Sequence, residues 1–105
     1  MYYIYIIKTL NDTLYTGITT NIVRRFQEHS GKLPRGAKYT RSNPPKSIEA
    51  LWQCESRSDA SKLEAKIKSL SKASKLKLIS DIQSFPFSCE IYKRINIKDI
   101  NFNEV

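Results

Sequence analysis

The run Tyr2-Tyr3-Ile4-Tyr5-Ile6-Ile7, followed by Asn11-Asp12 and then by Leu14-Tyr15-Thr16-Gly17-Ile18, decides how this chain folds. Aromatic and β-branched residues fill the first run with no polar alternation. That is the pattern of a strand covered on both faces, and it predicts a position inside a sheet. Asn11-Asp12 supplies turn chemistry, so the second run reads as a strand returning beside the first. Such a hairpin sets Tyr5 near Tyr15.

Asn21 is a good N-cap residue for a short helix through Ser30, with Ile22, Val23 and Phe26 as its apolar positions and Gly31 as its stop. On that helix Arg25 and His29 are one turn apart and flank the side of Ile22 and Phe26. Arg24 points away, so only one arginine of the pair looks toward the sheet. Lys32 to Lys46 holds three of the four prolines and five basic residues and reads as a loop. A third strand is expected over Ile48 to Cys54. Ser58 reads as the N-cap of a helix carrying Ala60, Leu63, Ile67 and Leu70 on one stripe. Glu64 falls inside that stripe, where a carboxylate demands an explanation because burying an unpaired charge is costly. Ser71 to Ile82 reads as a third helix, ended by Phe85-Pro86-Phe87.

The order β, β, α, β, α, α predicts an α+β fold, a small three-stranded mixed or antiparallel sheet flanked by helices. Residues 1–83 form this unit, and residues 84–105 are expected to be a C-terminal extension packed on the same domain. A chain of 105 residues with 40% hydrophobic content leaves room for one modest core and little else.

Eighteen Lys and Arg against ten Asp and Glu give a formal charge of +8. A polyanion, above all nucleic acid, is the partner such a balance suggests, although lysines also coat solvated helix faces. Cys54 and Cys89 lie far apart, with no Cys or His at metal-binding spacing, so neither a zinc site nor a disulfide framework is indicated. The apolar start is too short for a signal peptide and no stretch reaches membrane-spanning length, which points to a cytoplasmic protein with no membrane partner.

Tyr3-Ile4-Tyr5, Tyr15-Thr16-Gly17, Arg25, His29 and Glu64, in this order, resemble the GIY-YIG nuclease superfamily. Tyr3 replaces the first glycine of the family name and Thr16 its second isoleucine. Gly36-Ala37-Lys38-Tyr39-Thr40-Arg41, and Ser56-Arg57-Ser58 followed by Glu64, look like the small stand-alone YhbQ-type branch, which is akin to the catalytic domains of Slx-type endonucleases. The likeness runs over Tyr2 to Ile79.

The resemblance implies an endonuclease that hydrolyses DNA phosphodiester bonds, selecting structure rather than sequence, in repair or recombination. It implies catalytic roles for Tyr5, Tyr15, Arg25, His29 and Glu64, with Glu64 holding one divalent cation, Mg²⁺ or Mn²⁺. A phenol of pKa about 10 is a poor base unless a cation or an acceptor assists it. Tyr15 is expected to be the base, with Tyr5 positioning water or metal, Arg25 clamping the phosphate and His29 relaying a proton. Lys38, Tyr39, Thr40 and Arg41 combine cations, a stacking ring and a hydroxyl suited to a nucleic-acid strand. Ile18 stands where better-studied members carry a lysine, and Leu76 or its neighbours where they carry an asparagine. These departures favour weaker activity and keep open an alternative, a nucleic-acid-binding module that retains the fold with little or no cleavage. Seen singly, each residue has a plainer reading, as a core tyrosine, a surface pair or an exposed glutamate; their ordered combination is what is specific.

Overall fold

In the computed structural model, which describes residues 1–29 and 45–100, β1 (Tyr2–Thr9) lies between β2 (Leu14–Thr19) and β3 (Pro45–Cys54). Both neighbours run antiparallel to it. The apolar run reads as expected: Ile4, Tyr5, Ile6 and Ile7 are each no more than 1% exposed, because helices cover both sheet faces. The hairpin closes on Asp12, whose φ of 62° lies in the left-handed region that Asp tolerates in turns.

Among the described residues the sheet has four strands, not three. The added one, β4 (Lys93–Arg94), pairs with β3 through Trp52 and Gln53, giving the order β2-β1-β3-β4. Two residues have no period to read. Their strand exists because Arg94 places its guanidinium 5.0 Å from the Trp52 ring centre and donates to the Ile79 carbonyl at 3.0 Å.

The ladder between β1 and β3 contains a register shift. Ile6 faces Ala50 whereas Ile7 faces Ile48, so Glu49 is an extra residue on β3. The bulge reverses the alternation of β3 and lets Ile48 and Ala50 be buried on opposite faces. Pro45 and Lys46, expected in the loop, begin this strand instead.

Three helices accompany the sheet among the described residues. In α1 (Ile22–His29) the Asn21 side chain accepts from the Arg24 amide at 3.1 Å, the expected cap. The helix α2 (Arg57–Lys68) is capped by Ser56, which accepts from the Asp59 amide at 3.1 Å, rather than by Ser58. Both serines have the right chemistry, and the end of β3 at Cys54 chooses between them. Ser71 caps α3 (Lys72–Ser80), which stops before Asp81 because that residue turns extended and caps a short 3-10 turn, Ile82–Ser84.

Two apolar layers result. On one face Ile4, Ile6, Ala50, Trp52 and Cys54 pack with Ala60, Leu63 and Ile67 of α2 and Leu78 of α3. On the other, Tyr5, Ile7, Ile48 and Leu51 pack with Ile22 of α1, and Ile95, Ile97 and Ile100 close over them. Residues 81–100 therefore touch both layers. Tyr92 donates to the Asp59 carbonyl at 2.6 Å, and Phe85 stacks on Trp52 with ring centres 5.8 Å apart.

Candidate active site

Tyr5 leaves the middle of β1 on the α1 side, directly across the ladder from Gly17. A Cβ on residue 17 would lie 2.3 Å from the Tyr5 hydroxyl oxygen and 2.6 Å from Cζ. The glycine is thus a steric requirement: the Tyr5 ring lies across β2 only because nothing stands there. Two residues before Gly17, Tyr15 projects from the same face, with its ring centre 6.4 Å from that of Tyr5.

His29, the last residue of α1, closes the group. Its Nε2 is 2.8 Å from the Tyr5 hydroxyl, and its ring meets Tyr5 and Tyr15 edge-on at 5.7 and 5.2 Å between centres. The imidazole is 3% exposed. Burial, reinforced by the charge of Arg25, pushes its pKa down to about 4, so the ring is neutral near pH 7.

Arg25, one turn earlier, lies near enough to Tyr5 for its charge to act on the hydroxyl, and its Nη1 donates to Glu28 Oε1 at 3.0 Å. Burial drives the Tyr5 pKa up to about 12, although Arg25 pulls against it; the charges of Tyr15 and Glu64 push the same way as burial. Tyr5 therefore stays a phenol at neutral pH.

Arg24 behaves as its position on the helix implied. Its side chain is 64% exposed against 24% for Arg25.

Glu64 arrives differently. It sits on α2, whose apolar residues pack on the sheet face opposite to Tyr5. The hairpin and the two helices do not share one face, because β1 is buried on both sides and each layer recruits its own helix. The two layers meet at β2, the edge strand, against which α2 packs. There Glu64 is close enough for its charge to act on Tyr5. Its side chain is 24% exposed and pairs with Lys68 Nζ at 3.3 Å, a solvent-side partner one turn on.

The donor set fits one kind of metal. Among the described residues no three His, Cys, Asp or Glu gather as a cage, which Zn²⁺ or an all-protein Ca²⁺ site would need. A single part-exposed carboxylate suits Mg²⁺ or Mn²⁺, which keep waters and take further oxygens from a substrate phosphate. Lys38, Tyr39, Thr40 and Arg41 lie outside the described residues.

Glu28 was not singled out from the sequence. It is 8% exposed, with Oε1 on Arg25 and Oε2 3.7 Å from Arg24 Nε. Its spacing of three from Arg25 and its place beside His29 were the available signal. Thr16 was read only as a departure from the family name and given no role: its hydroxyl is buried on the α2 side, opposite Ile6, without a hydrogen-bond partner among the described residues.

Known proteins resemble this chain over most of its length. The GIY-YIG catalytic domain family matches residues 1–77. A UPF0213 protein of Fusobacterium nucleatum is 37% identical over 99 residues, spanning 94% of this chain and 97% of its own. One from Syntrophus aciditrophicus is 50% identical over 78 residues, 73% of this chain and 87% of its own. The solution NMR structure of a UPF0213 protein from Bacillus halodurans superposes with a TM-score of 0.50 at 36% identity, covering 82% of this chain and 89% of that one. The YhbQ proteins of Salmonella carry the same UPF0213 name. With its tyrosine pair on a hairpin and a family match over most of its length, the chain belongs to the GIY-YIG nuclease superfamily, in the UPF0213 branch.

Proposed function

We propose that this protein is a metal-dependent endonuclease that hydrolyses DNA phosphodiester bonds, acting on branched, flapped or single-stranded DNA rather than at a fixed sequence, in repair or recombination. The observation that carries the reading is the Tyr5–His29 hydrogen bond beside Tyr15 and Arg25, in which a cation, two phenols and a neutral imidazole meet on one face of the sheet. The charge of +8 supports a backbone-directed, sequence-independent approach to DNA.

Tyr15 is the base. It is half-buried where Tyr5 is sealed, so a water can reach its oxygen. As that water attacks phosphorus, its proton moves to Tyr15 while Tyr15 releases its own to solvent, with the neutral His29 ring packed against it. The bond from phosphorus to the leaving oxygen breaks, that oxygen takes up a proton, and one strand end keeps the phosphate while the other becomes a hydroxyl. Arg25 holds a phosphate oxygen as charge accumulates, and Tyr5 keeps both Arg25 and His29 in place. Glu64 would hold the Mg²⁺ or Mn²⁺, which supplies charge neutralisation at the phosphate oxygens when bound. Lys38, Tyr39, Thr40 and Arg41 are assigned to the DNA strand.

The test is cleavage of labelled duplex, flap and single-stranded DNA with Mg²⁺ or Mn²⁺ and with chelator, for wild type, Glu64→Ala and Tyr15→Phe. Metal-dependent cutting lost in both variants is expected. Cutting that survives Glu64→Ala overturns the site, and DNA binding without cutting in any metal favours a binding module.

A further inference from the structure

We propose that Glu28 is a positioning residue: its buried carboxylate fixes the direction of the Arg25 guanidinium beside Tyr5 and thereby aims Arg25 at the phosphate. The activity arm of this inference rests on the nuclease reading above; its geometry does not.

Buried carboxylates are rare unless they are paired, and Glu28 is paired twice. Oε1 accepts from Arg25 Nη1 at 3.0 Å and Oε2 lies 3.7 Å from Arg24 Nε. The two arginines thus grip the two oxygens of one carboxylate, the exposed one from outside and the half-buried one from inside. A guanidinium is a rigid plane, so fixing one N–H by a charge-assisted bond sets the direction of the others. The Arg25 charge in turn acts on Tyr5, and Tyr5 is hydrogen-bonded to His29. Glu28 anchors this chain from the helix side, and Arg24 anchors Glu28. The arrangement gives the solvated member of the Arg24-Arg25 pair a purpose.

Charge alone predicts the opposite of positioning. Removing a carboxylate beside Arg25 adds positive charge, which tightens DNA binding and leaves the clamp stronger. Positioning predicts that a clamp acting in the transition state is lost from kcat while KM stays.

Glu28→Ala, Glu28→Gln, Arg24→Ala and Arg25→Ala are compared with wild type by single-turnover cleavage, by DNA affinity, and by ¹⁵N NMR of the Arg25 guanidinium. A held guanidinium rotates slowly about its Nε–Cζ bond, a signature that a merely structural contact would not control. Glu28→Ala is expected to lower kcat by about 10-fold or more with KM within about 3-fold, and to release that rotation. Glu28→Gln keeps an acceptor and falls between wild type and Glu28→Ala, and Arg24→Ala shifts both readouts less, in the same direction. Where Glu28→Ala fails to fold, Glu28→Gln carries both readouts. The proposal is overturned if both Glu28 variants cut DNA as fast as wild type or faster, or if Arg25 stays as restricted as before. If wild type cuts nothing, the nuclease reading fails, and the guanidinium signal alone still decides for or against Glu28.

Discussion

Gly17 and Tyr5 face each other across the β1–β2 ladder so closely that a methyl group on residue 17 would stand 2.3 Å from the Tyr5 hydroxyl oxygen. Gly17→Ala must therefore displace the ring, and with it the bond to His29. We expect a loss of about 2 kcal/mol or more in urea unfolding, and loss of cleavage. Tyr5→Phe does not relieve the clash, since Cζ would still lie 2.6 Å away. In a Tyr5→Leu background the added cost of Gly17→Ala should shrink, and a double-mutant cycle that shows full additivity would refute the contact.

Tyr5→Phe by itself tests the hydrogen-bond chain. It removes the hydroxyl that is hydrogen-bonded to His29 Nε2 and that the Arg25 charge acts on, while keeping the ring. Stability should fall by about 1–2 kcal/mol and cleavage by about 10-fold or more, with DNA affinity little changed. A variant as active as wild type would remove Tyr5 from the site.

Stability should narrow at both ends of the pH scale. His29 titrates near 4 when folded and near 6.5 when unfolded, so between those values the unfolded chain binds more protons. Its contribution is complete above about pH 6.5 and is lost as pH falls toward 4, up to about 3 kcal/mol. Tyr5 acts on the alkaline side. Its folded pKa of about 12 against 10 means that stability present below pH 10 is lost as pH rises toward 12. Urea midpoints measured across pH 4–8 in wild type and His29→Phe should separate the acid limb, which the variant ought to lack.

Arg94 joins β4 to the body of the fold. It lies over Trp52 and donates to the Ile79 carbonyl at the end of α3. Arg94→Ala should cost about 1–3 kcal/mol and expose residues 81–100 to limited proteolysis. Arg94→Lys should recover little of this, because a point charge cannot both stack on indole and reach the carbonyl in plane. Proteolysis unchanged in both variants would show that the segment is held by its aromatic contacts alone.

Much of the fold was legible because its signals are local. The unbroken apolar run of β1 announces burial on two faces, Asn11-Asp12 the turn, and Asn21 the start of α1. The fourth strand was not legible, since Lys93 and Arg94 are held by Trp52 and by α3, contacts distant in sequence. The bulge at Glu49 was hidden for a related reason. It matters only relative to the register of β1. In the site, Tyr5, Tyr15, Arg25 and His29 could be named in advance because a hairpin and one helical turn already bring them near one another. Glu64 could be named but not placed, because its helix covers the other sheet face.

The sequence by itself determined which groups this protein brings to its site and which local elements carry them, since turns, caps and periodicity act over a few residues. Their chemical state was decided only by tertiary structure. The same histidine on an exposed helix would titrate near its ordinary value. Packed between two tyrosines and beside Arg25 it is neutral, and the tyrosine hydrogen-bonded to it is kept a phenol. Burial and partner geometry are properties of the assembled layers, and they alone turn Glu28 from a surface residue into the anchor proposed for Arg25.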